Sequence, residues 1–298
     1  YNNCEADLMI NKDKVWTWDE IQPDRTDRWI VAIDGKAYDV TDWASTHPGG
    51  PLVLQHHRGR DATDAVSAFH RPNARKMMGK YCIGRMEPNP VPPSTATLEY
   101  RKLAAAVEAA GLYKTSYAFY AGTLAWCALL LGAAWWLAGA GYVIPGALAV
   151  ALFWQQVAFV GHDAGHHAIA HASRRVDEVL GLGVNAAVGI GLSWWNNTHN
   201  THHCVVNSAD CDPDIQFMPL VANSPLYFKS LFSKYHMDEM TFDAAARRLI
   251  SIQHFTFLPL LCIARYGLYL QAFLHLLHGK PVYTRAGRWG ELGVQLGF

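Results

Sequence analysis

The stretch VGHDAGHHAIAH, residues 160–171, places four histidines within twelve positions, directly after a run of apolar residues. His162 and His166 are four residues apart, so on a helix both rings lie on one face, where a metal ion can bridge two turns. A zinc protease motif of the form H-E-x-x-H needs glutamate after the first histidine, and Asp163 stands there instead. The spacing predicts a candidate metal site without choosing the metal or the reaction.

A second histidine cluster follows in WWNNTHNTHH, which contains His199, His202 and His203 at spacings of i, i+3 and i+4. Seven of the chain's 15 histidines therefore fall between His162 and His203. Such crowding is costly through desolvation and mutual repulsion unless a cation organises the rings. The two clusters together predict one shared centre, and imidazole suits iron, zinc and copper alike.

Two uncharged segments precede the first cluster. Residues 118–138 and 143–160 are each long enough to cross a bilayer, and the short GAGY turn between them predicts a hairpin. The turn has no lysine or arginine, whereas the outer flanks do. These flanking basic residues are Arg101, Lys102, Lys114, Arg174 and Arg175. The charge rule then predicts that the N-terminal part and both histidine clusters lie on the cytosolic side.

The segments after the hairpin are less regular. Residues 179–195 contain four glycines, so we predict an interfacial segment that dips into the membrane. The alternative is a true span that would separate two unrelated histidine groups. Trp194 and Trp195 are predicted interface anchors. Arg265 interrupts the apolar residues 249–277, which predicts a pair of membrane-dipping helices bent near Pro259.

The first 86 residues have a different character, with most of the charged side chains of the N-terminal half. Asp34-Gly35 between two apolar runs predicts a type I′ hairpin, and the capping box at Thr17–Glu20 predicts a short helix. His47 and His70 bracket an apolar stretch that begins with Pro48, Gly49 and Gly50. Two such histidines are either axial ligands of a haem iron or ordinary half-buried side chains.

Resemblance to known families adds to this interpretation. HPGG, followed by GRDAT and AFH, resembles the cytochrome b5 haem-binding domain over about residues 14–86. The resemblance implies that His47 and His70 ligate one haem b from opposite sides, which leaves no open position for oxygen and suits single-electron transfer.

The two histidine clusters, HDAGHH and HNTHH, together with DCDPDIQFMP, resemble the front-end membrane desaturases, most of all the sphingolipid Δ8 desaturases. The resemblance implies a centre of two non-haem irons, with no catalytic residue beyond the metal ligands. The implied ligands are His162, His166, His167, His199, His202 and His203. The third box of that family, Q-x-x-H-H, is missing, because Gln253 and His254 are adjacent. We expect it beyond Phe298, with both ends of the chain truncated.

The expected architecture is an α+β cytochrome b5-like domain followed by an all-α, multi-span membrane desaturase domain. The predicted boundaries are a tail at residues 1–13, the haem domain at 14–86, a Pro-rich linker at 87–97 and the membrane domain at 98–298. A proline-rich linker of this kind is a semi-rigid spacer.

The function implied by the resemblance is Δ8 desaturation of the sphingolipid long-chain base, with O2 and with electrons from the fused domain. The implied partners are an NAD(P)H-dependent cytochrome b5 reductase and a membrane lipid, and the implied location is the endoplasmic reticulum. Three alternatives stay open: a Δ5 or Δ6 front-end fatty-acyl desaturase, a cytochrome b5-fused lipid hydroxylase, and a non-catalytic membrane-anchored haem electron carrier.

Composition sets two further limits. The formal net charge is zero, so no general attraction to nucleic acid is expected. The cysteines have no framework spacing, which predicts reduced thiols, with Cys204 beside His203 as a conceivable metal ligand. The six are Cys4, Cys82, Cys127, Cys204, Cys211 and Cys262.

Overall fold

A computed structural model describes residues 13–47, 49–70, 72–170, 173–278 and 285–298, leaving aside the side chains of residues 72, 73, 285 and 286. Cys4, Pro48 and His171 lie outside the described residues. The chain forms two compact units, one built largely on the residues up to Thr95 and one built largely on the helices that follow.

The first unit contains a four-stranded sheet whose strands have the order β1-β4-β3-β2. The strands are β1 Val15–Trp16, β2 Ile30–Ile33, β3 Lys36–Asp39 and β4 Cys82–Met86. Strand β1 pairs in parallel with β4, and the other neighbours are antiparallel. All four residues of β2 are buried, so apolar side chains cover both faces of the sheet at this strand.

The predicted hairpin is confirmed, because Asp34 and Gly35 have φ values of 49° and 69° between β2 and β3. The predicted helix at Thr17 is wrong. The Thr17 N–H donates to Glu20 Oε2 at 2.8 Å, and the Glu20 N–H donates to Thr17 Oγ1 at 3.2 Å, so the reciprocal bonds of a capping box do form. They close a turn only, since Pro23 follows too soon for a helix to continue.

Three seven-residue helices complete the first unit. They are α1 Pro51–His57, α2 Thr63–Phe69 and α3 Pro72–Met78. Val66 of α2 packs against Val31, Ile33 and Val40, so this helix is fixed on one face of the sheet. His70 follows the end of α2, and His47 follows a 3-10 turn at Ala44–Thr46, just before α1.

The second unit begins with α4 Thr95–Ala109, which starts within the last three residues of the predicted linker. The predicted hairpin follows as α5 Tyr117–Gly139 and α6 Val143–Gly165. The two helices pack against each other where Gly146 faces Ala134, and an added Cβ at Gly146 would be in van der Waals contact with the Ala134 carbonyl oxygen at 3.4 Å. Both helices are long and apolar enough to cross a membrane.

The segment between the histidine clusters is a bent pair of helices rather than one straight span. Helix α7 Arg174–Val188 and helix α8 Leu192–Cys204 meet at 107°, the geometry of a broken span or a re-entrant loop. Gly189, which has a φ of 74°, ends α7 and allows the reversal. This arrangement agrees with a dipping segment and lets both clusters approach one point.

The segment around Arg265 differs from the sequence prediction. After β5 Leu231–Ser233, β6 Asp238–Met240 and α9 Ala244–Ser251, one continuous helix, α10 Gln253–His278, runs through Pro259. The predicted division into two helices near Pro259 is therefore wrong. The proline lies at the seventh position of α10, where the helix loses a single backbone hydrogen bond and continues, and the break falls at Ile252 instead. Helix α10 is the third helix of span length among the described residues.

Arg265 is accommodated within α10 by specific partners. Its guanidinium carbon lies 3.7 Å from the centre of the Trp154 ring, and Nη2 donates to the Val188 carbonyl at 3.0 Å. That carbonyl ends α7, where the helix dipole favours a cation. Nε also donates to the Tyr269 hydroxyl. The unfavourable free energy of placing this charge in an apolar helix is thus offset by the face of the Trp154 ring and by two hydrogen-bond acceptors.

Candidate functional site

The first candidate site contains His47 and His70. Their ring centres are 6.0 Å apart. Metal–imidazole bonds are about 2 Å long and each ring centre lies roughly 1 Å behind its nitrogen, so one metal ion fits between such rings. The His47 Nδ1–H donates to the Gly50 carbonyl at 3.0 Å, which leaves Nε2 as the ligand atom. Glycine at position 49 leaves room for the His47 ring, since an added Cβ would lie 3.0 Å from that ring, which is closer than most Cβ contacts.

The electrostatics of this pair also suit iron ligation. Burial lowers the pKa of His47 to about 4, and burial lowers the pKa of His70 as well. Both rings are therefore neutral near pH 7, the form that binds a metal ion. The Nδ1 atom of His70 is buried without a hydrogen-bond partner, a state that coordination through this atom would relieve. The residues present fit a bis-histidine haem.

The second candidate site brings the two histidine clusters together. His162 near the end of α6 and His199 in α8 have their Nε2 atoms 3.3 Å apart. The centre of the His166 ring lies 4.6 Å from the centre of the His162 ring and 5.2 Å from the centre of the His199 ring. One ring nitrogen from each of these three residues lies within 4.8 Å of the others. His203 lies one turn beyond His199 on the same helix. A ring nitrogen of His203 lies within 4.8 Å of a ring nitrogen of His199.

This spacing excludes the alternative of two unrelated histidine groups on opposite membrane faces. Among the residues that the structure describes, the group of four is the one with the spacing of a metal site. Neutral imidazoles suit several first-row metals, so the donor set fits iron without selecting it. The convergence of ring nitrogens from separate helices on one point supports a metal-binding role.

The packing of α8 against the end of α6 depends on small residues. The centre of the Trp195 ring lies 4.4 Å from the centre of the His199 ring and 5.2 Å from that of the His166 ring, so Trp195 forms one wall of the site. Its predicted role as an interface anchor stays a prediction. A Cβ at Gly165 would overlap the Trp195 ring. The glycine in HDAGHH therefore sets how closely the two histidine-bearing helices approach.

The remaining two predicted iron ligands are placed differently. His167 follows α6 with a φ of 54°, and it is not in the group of four. His202 faces the carboxylate of Asp212, with Nδ1 at 2.9 Å from Oδ2. Asp212 is fully buried and also accepts from the Asn207 and Asp214 N–H groups at 2.8 and 2.9 Å. The ligand roles of His167 and His202 stay predictions.

A carboxylate from the end of the chain holds the start of α8. Glu291 of α11 Arg285–Gly297 is 3% exposed, and it accepts from the Ser193 N–H at 2.8 Å and from the Ser193 hydroxyl. Burial raises the pKa of Glu291, while the Ser193 hydrogen bonds and a backbone bond from Leu192 favour its charged form. The first N–H groups of a helix lack partners within that helix, so Glu291 acts as a cap. Sequence reasoning missed it because 98 residues separate the partners.

Replacing Glu291 by alanine is expected to lower the stability of the protein by about 1–3 kcal/mol, because buried helix N–H groups lose their acceptor. Glu291→Gln, which keeps one acceptor oxygen, should cost less. Thermal unfolding in detergent measures both. The matched control is Glu178→Ala, which removes a 2.8 Å ion pair with Arg174 at the surface and should change little. Equal effects of Glu291→Ala and Glu178→Ala would contradict the capping role.

Gln253, which sequence reasoning compared with the missing third box, has a structural role. Its side chain accepts from the Ala222 N–H at 2.8 Å and donates to the Ala222 carbonyl at 3.1 Å. Both functional ends of the amide are thus engaged with backbone. The cysteines that the structure describes are all free thiols, and Cys204 is outside the histidine group.

These two sites define a class: a haem-type electron-transfer domain joined to a helical membrane unit with a histidine-lined metal centre. Comparison with known families agrees. Residues 17–87 match the cytochrome b5-like heme/steroid binding domain, and residues 140–295 match the fatty acid desaturase family. The chain belongs to the fatty acid desaturase family and carries a fused cytochrome b5-like domain. The predicted fold class is confirmed, and the family implies haem, non-haem iron and a membrane location.

Several curated relatives are similar over most of this chain. Delta(8)-fatty-acid desaturase 1 of Arabidopsis thaliana is 38% identical over 264 residues, which is 87% of this chain and 58% of that protein. Acyl-lipid (9-3)-desaturase of Borago officinalis is 35% identical over 269 residues, with coverage of 87% and 58%. Delta 8-(E)-sphingolipid desaturase of Kluyveromyces lactis is 37% identical over 192 residues, with coverage of 64% and 33%. The chain thus spans less than two thirds of these relatives.

Proposed function

We propose that this protein is an O2-dependent lipid desaturase that introduces the Δ8 double bond into the long-chain base of sphingolipids. The observation that carries the desaturase assignment is the convergence of His162, His166 and His199 in a chain that also holds the His47–His70 pair. The relatives from A. thaliana and K. lactis support the Δ8 position. The B. officinalis relative, an acyl-lipid desaturase, favours a front-end fatty-acyl desaturase as the second candidate.

The proposed cofactors are one haem b, held by His47 and His70, and two non-haem irons. The proposed iron ligands are His162, His166, His167, His199, His202 and His203. When bound, the irons would supply oxygen-dependent oxidation of an unactivated C–H bond, and the haem would supply single electrons. The proposal does not require these six histidines to be the complete set of ligands for two irons.

The protein's own residues contribute orientation and exclusion of water. The Gly50 carbonyl fixes the Nδ1–H form of His47, and the Trp195 ring covers one side of the His166 and His199 rings. Forming a double bond while O2 is reduced to two waters requires two electrons beyond those that the substrate gives up. We propose that an NAD(P)H-dependent cytochrome b5 reductase provides them through the fused domain, whose linker raises the local donor concentration.

The proposed location is the endoplasmic reticulum, with the haem domain and the histidine clusters on the cytosolic face. Support comes from the flanks of the α5–α6 hairpin, where Lys114 precedes α5 and Arg174 and Arg175 follow α6. The turn between the helices has no basic residue. Basic flanks of short hairpins favour the cytosolic side. The lipid substrate would then reach the centre from the bilayer.

Expression of the full-length protein in a host that lacks Δ8 unsaturation tests the proposal. Sphingoid bases and fatty acids are both profiled by mass spectrometry, with the empty vector as control. A new Δ8 double bond in sphingoid bases is the expected result. Unsaturation confined to fatty acids would support the acyl desaturase instead. Hydroxylation without unsaturation would indicate the hydroxylase, and no lipid change, with haem reduction intact, would indicate an electron carrier.

A further inference from the structure

The carboxylate of Asp163 connects two helices beside the histidine centre. Its Oδ1 lies 3.1 Å from Nδ1 of His162, and its Oδ2 accepts a hydrogen bond of 2.8 Å from the Tyr120 hydroxyl. Tyr120 belongs to α5, whereas Asp163 and His162 belong to α6. A continuous chain of hydrogen bonds therefore runs from one membrane helix, through a carboxylate, to a proposed metal ligand.

The two nitrogens of the His162 ring face different partners. Nδ1 faces Asp163, and Nε2 faces the centre at 3.3 Å from Nε2 of His199. A carboxylate next to Nδ1 favours the ring form with the proton on that nitrogen, because the carboxylate can only accept. The same ring form leaves the Nε2 lone pair free for a metal ion. The orientation and the proton position thus agree with ligation through Nε2.

This contact does not follow from helix geometry alone. Neighbouring residues on a helix point in different directions, so residues 162 and 163 do not face each other by default. The second oxygen of Asp163 is held by Tyr120 across the helix pair, which keeps the first oxygen directed at His162. Asp163 occupies the position of the general base in the zinc protease motif, but its observed contact is with a ligand ring.

We propose that Asp163 and Tyr120 are positioning residues of the metal centre: Asp163 fixes the orientation and tautomer of His162, and Tyr120 fixes Asp163. The inference rests on the proposed function, since it assigns the supporting contacts of one proposed iron ligand. Carboxylates behind metal-bound histidines raise ligand basicity and lock the ring. Neither residue needs to touch the substrate for this role.

The test is Fe(II) affinity, measured by anaerobic titration of the metal-stripped, full-length protein. Asp163→Ala should weaken binding about 10- to 100-fold, the usual effect of losing an outer-shell partner. Asp163→Asn, which keeps the shape and one acceptor oxygen, should fall between alanine and wild type. Tyr120→Phe should weaken binding about threefold to tenfold, the contribution of one hydrogen bond. Tyr117→Phe is the matched control, because it removes an exposed hydroxyl from the same helix and should change nothing.

A double variant separates a connected chain from two independent effects. If Tyr120 acts through Asp163, adding Tyr120→Phe to Asp163→Ala should cause no further loss of affinity. An unchanged haem absorption spectrum shows that the haem domain is folded, and an unchanged thermal unfolding temperature in detergent shows that the helical unit is folded. Wild-type affinity in Asp163→Ala, or fully additive losses in the double variant, would overturn the inference. A wild-type protein that binds no non-haem iron would instead overturn the proposed function, and the inference with it.

Discussion

In the full-length protein, His199→Ala is expected to lower the proposed desaturase activity more than about 100-fold. Loss of a residue that only supports a metal ligand costs up to about 100-fold, and loss of a ligand itself should cost more. His199 provides the Nε2 atom that faces His162, and its ring packs against the rings of both His166 and Trp195. Alanine removes a ligand and also leaves a gap in the wall of the site. The product is measured by mass spectrometry, and non-haem iron is measured in the purified protein. Both should fall together while the haem spectrum is retained.

His254→Ala is the matched control for this prediction. His254 is an exposed histidine at the start of α10 and is not in the group of four. Its loss should leave both the iron content and the product unchanged. A His199→Ala protein that retained wild-type iron and activity would show that the cluster in α8 is not a metal site.

His70→Ala is expected to have a comparably large effect on turnover through a different cofactor. The haem would lose one of its two axial ligands, so the Soret band should be lost or strongly altered. Non-haem iron should remain, because the proposed iron ligands are untouched. Product formation driven by NAD(P)H and a cytochrome b5 reductase should drop to background, since the fused domain no longer passes electrons.

His57→Ala provides the control within the same domain. His57 Nδ1–H donates a hydrogen bond of 2.9 Å to the Val53 carbonyl of its own helix. This contact is local, and His57 is not one of the proposed haem ligands. This variant should keep the haem spectrum. Normal reductase-driven turnover by His70→Ala protein, in a host without separate cytochrome b5, would refute electron delivery through this pair.

The parts of the fold that the sequence predicted well are those that local patterns determine. Asp34-Gly35 specifies its hairpin because both positions need a positive φ, which Asp and Gly tolerate. The uncharged segments specify α5 and α6 through length and hydropathy alone. The histidine spacings likewise identify the centre, since i and i+4 neighbours share a helix face whatever the surroundings.

The features that sequence patterns missed depend on contacts between distant residues. No local pattern links Glu291 to Ser193, or Arg265 to Trp154 and the end of α7. Pro259 and the Thr17 capping box show the reverse case, in which a valid local preference does not decide the structure. A proline near the start of α10 costs one hydrogen bond, which the rest of a long helix easily outweighs. The capping box forms its bonds but has too little chain before Pro23 for a helix.

Gly165 carries no reactive group, yet a Cβ added there would overlap the Trp195 ring, so any other residue would force this contact to shift. A histidine count is consequently an insufficient criterion for a competent enzyme. A homologous gene could encode every ligand and still be inactive if a methyl group at this position forced the helices apart. Genome surveys that infer lipid unsaturation from histidine boxes would gain accuracy by scoring this spacer position as strictly as the ligands themselves.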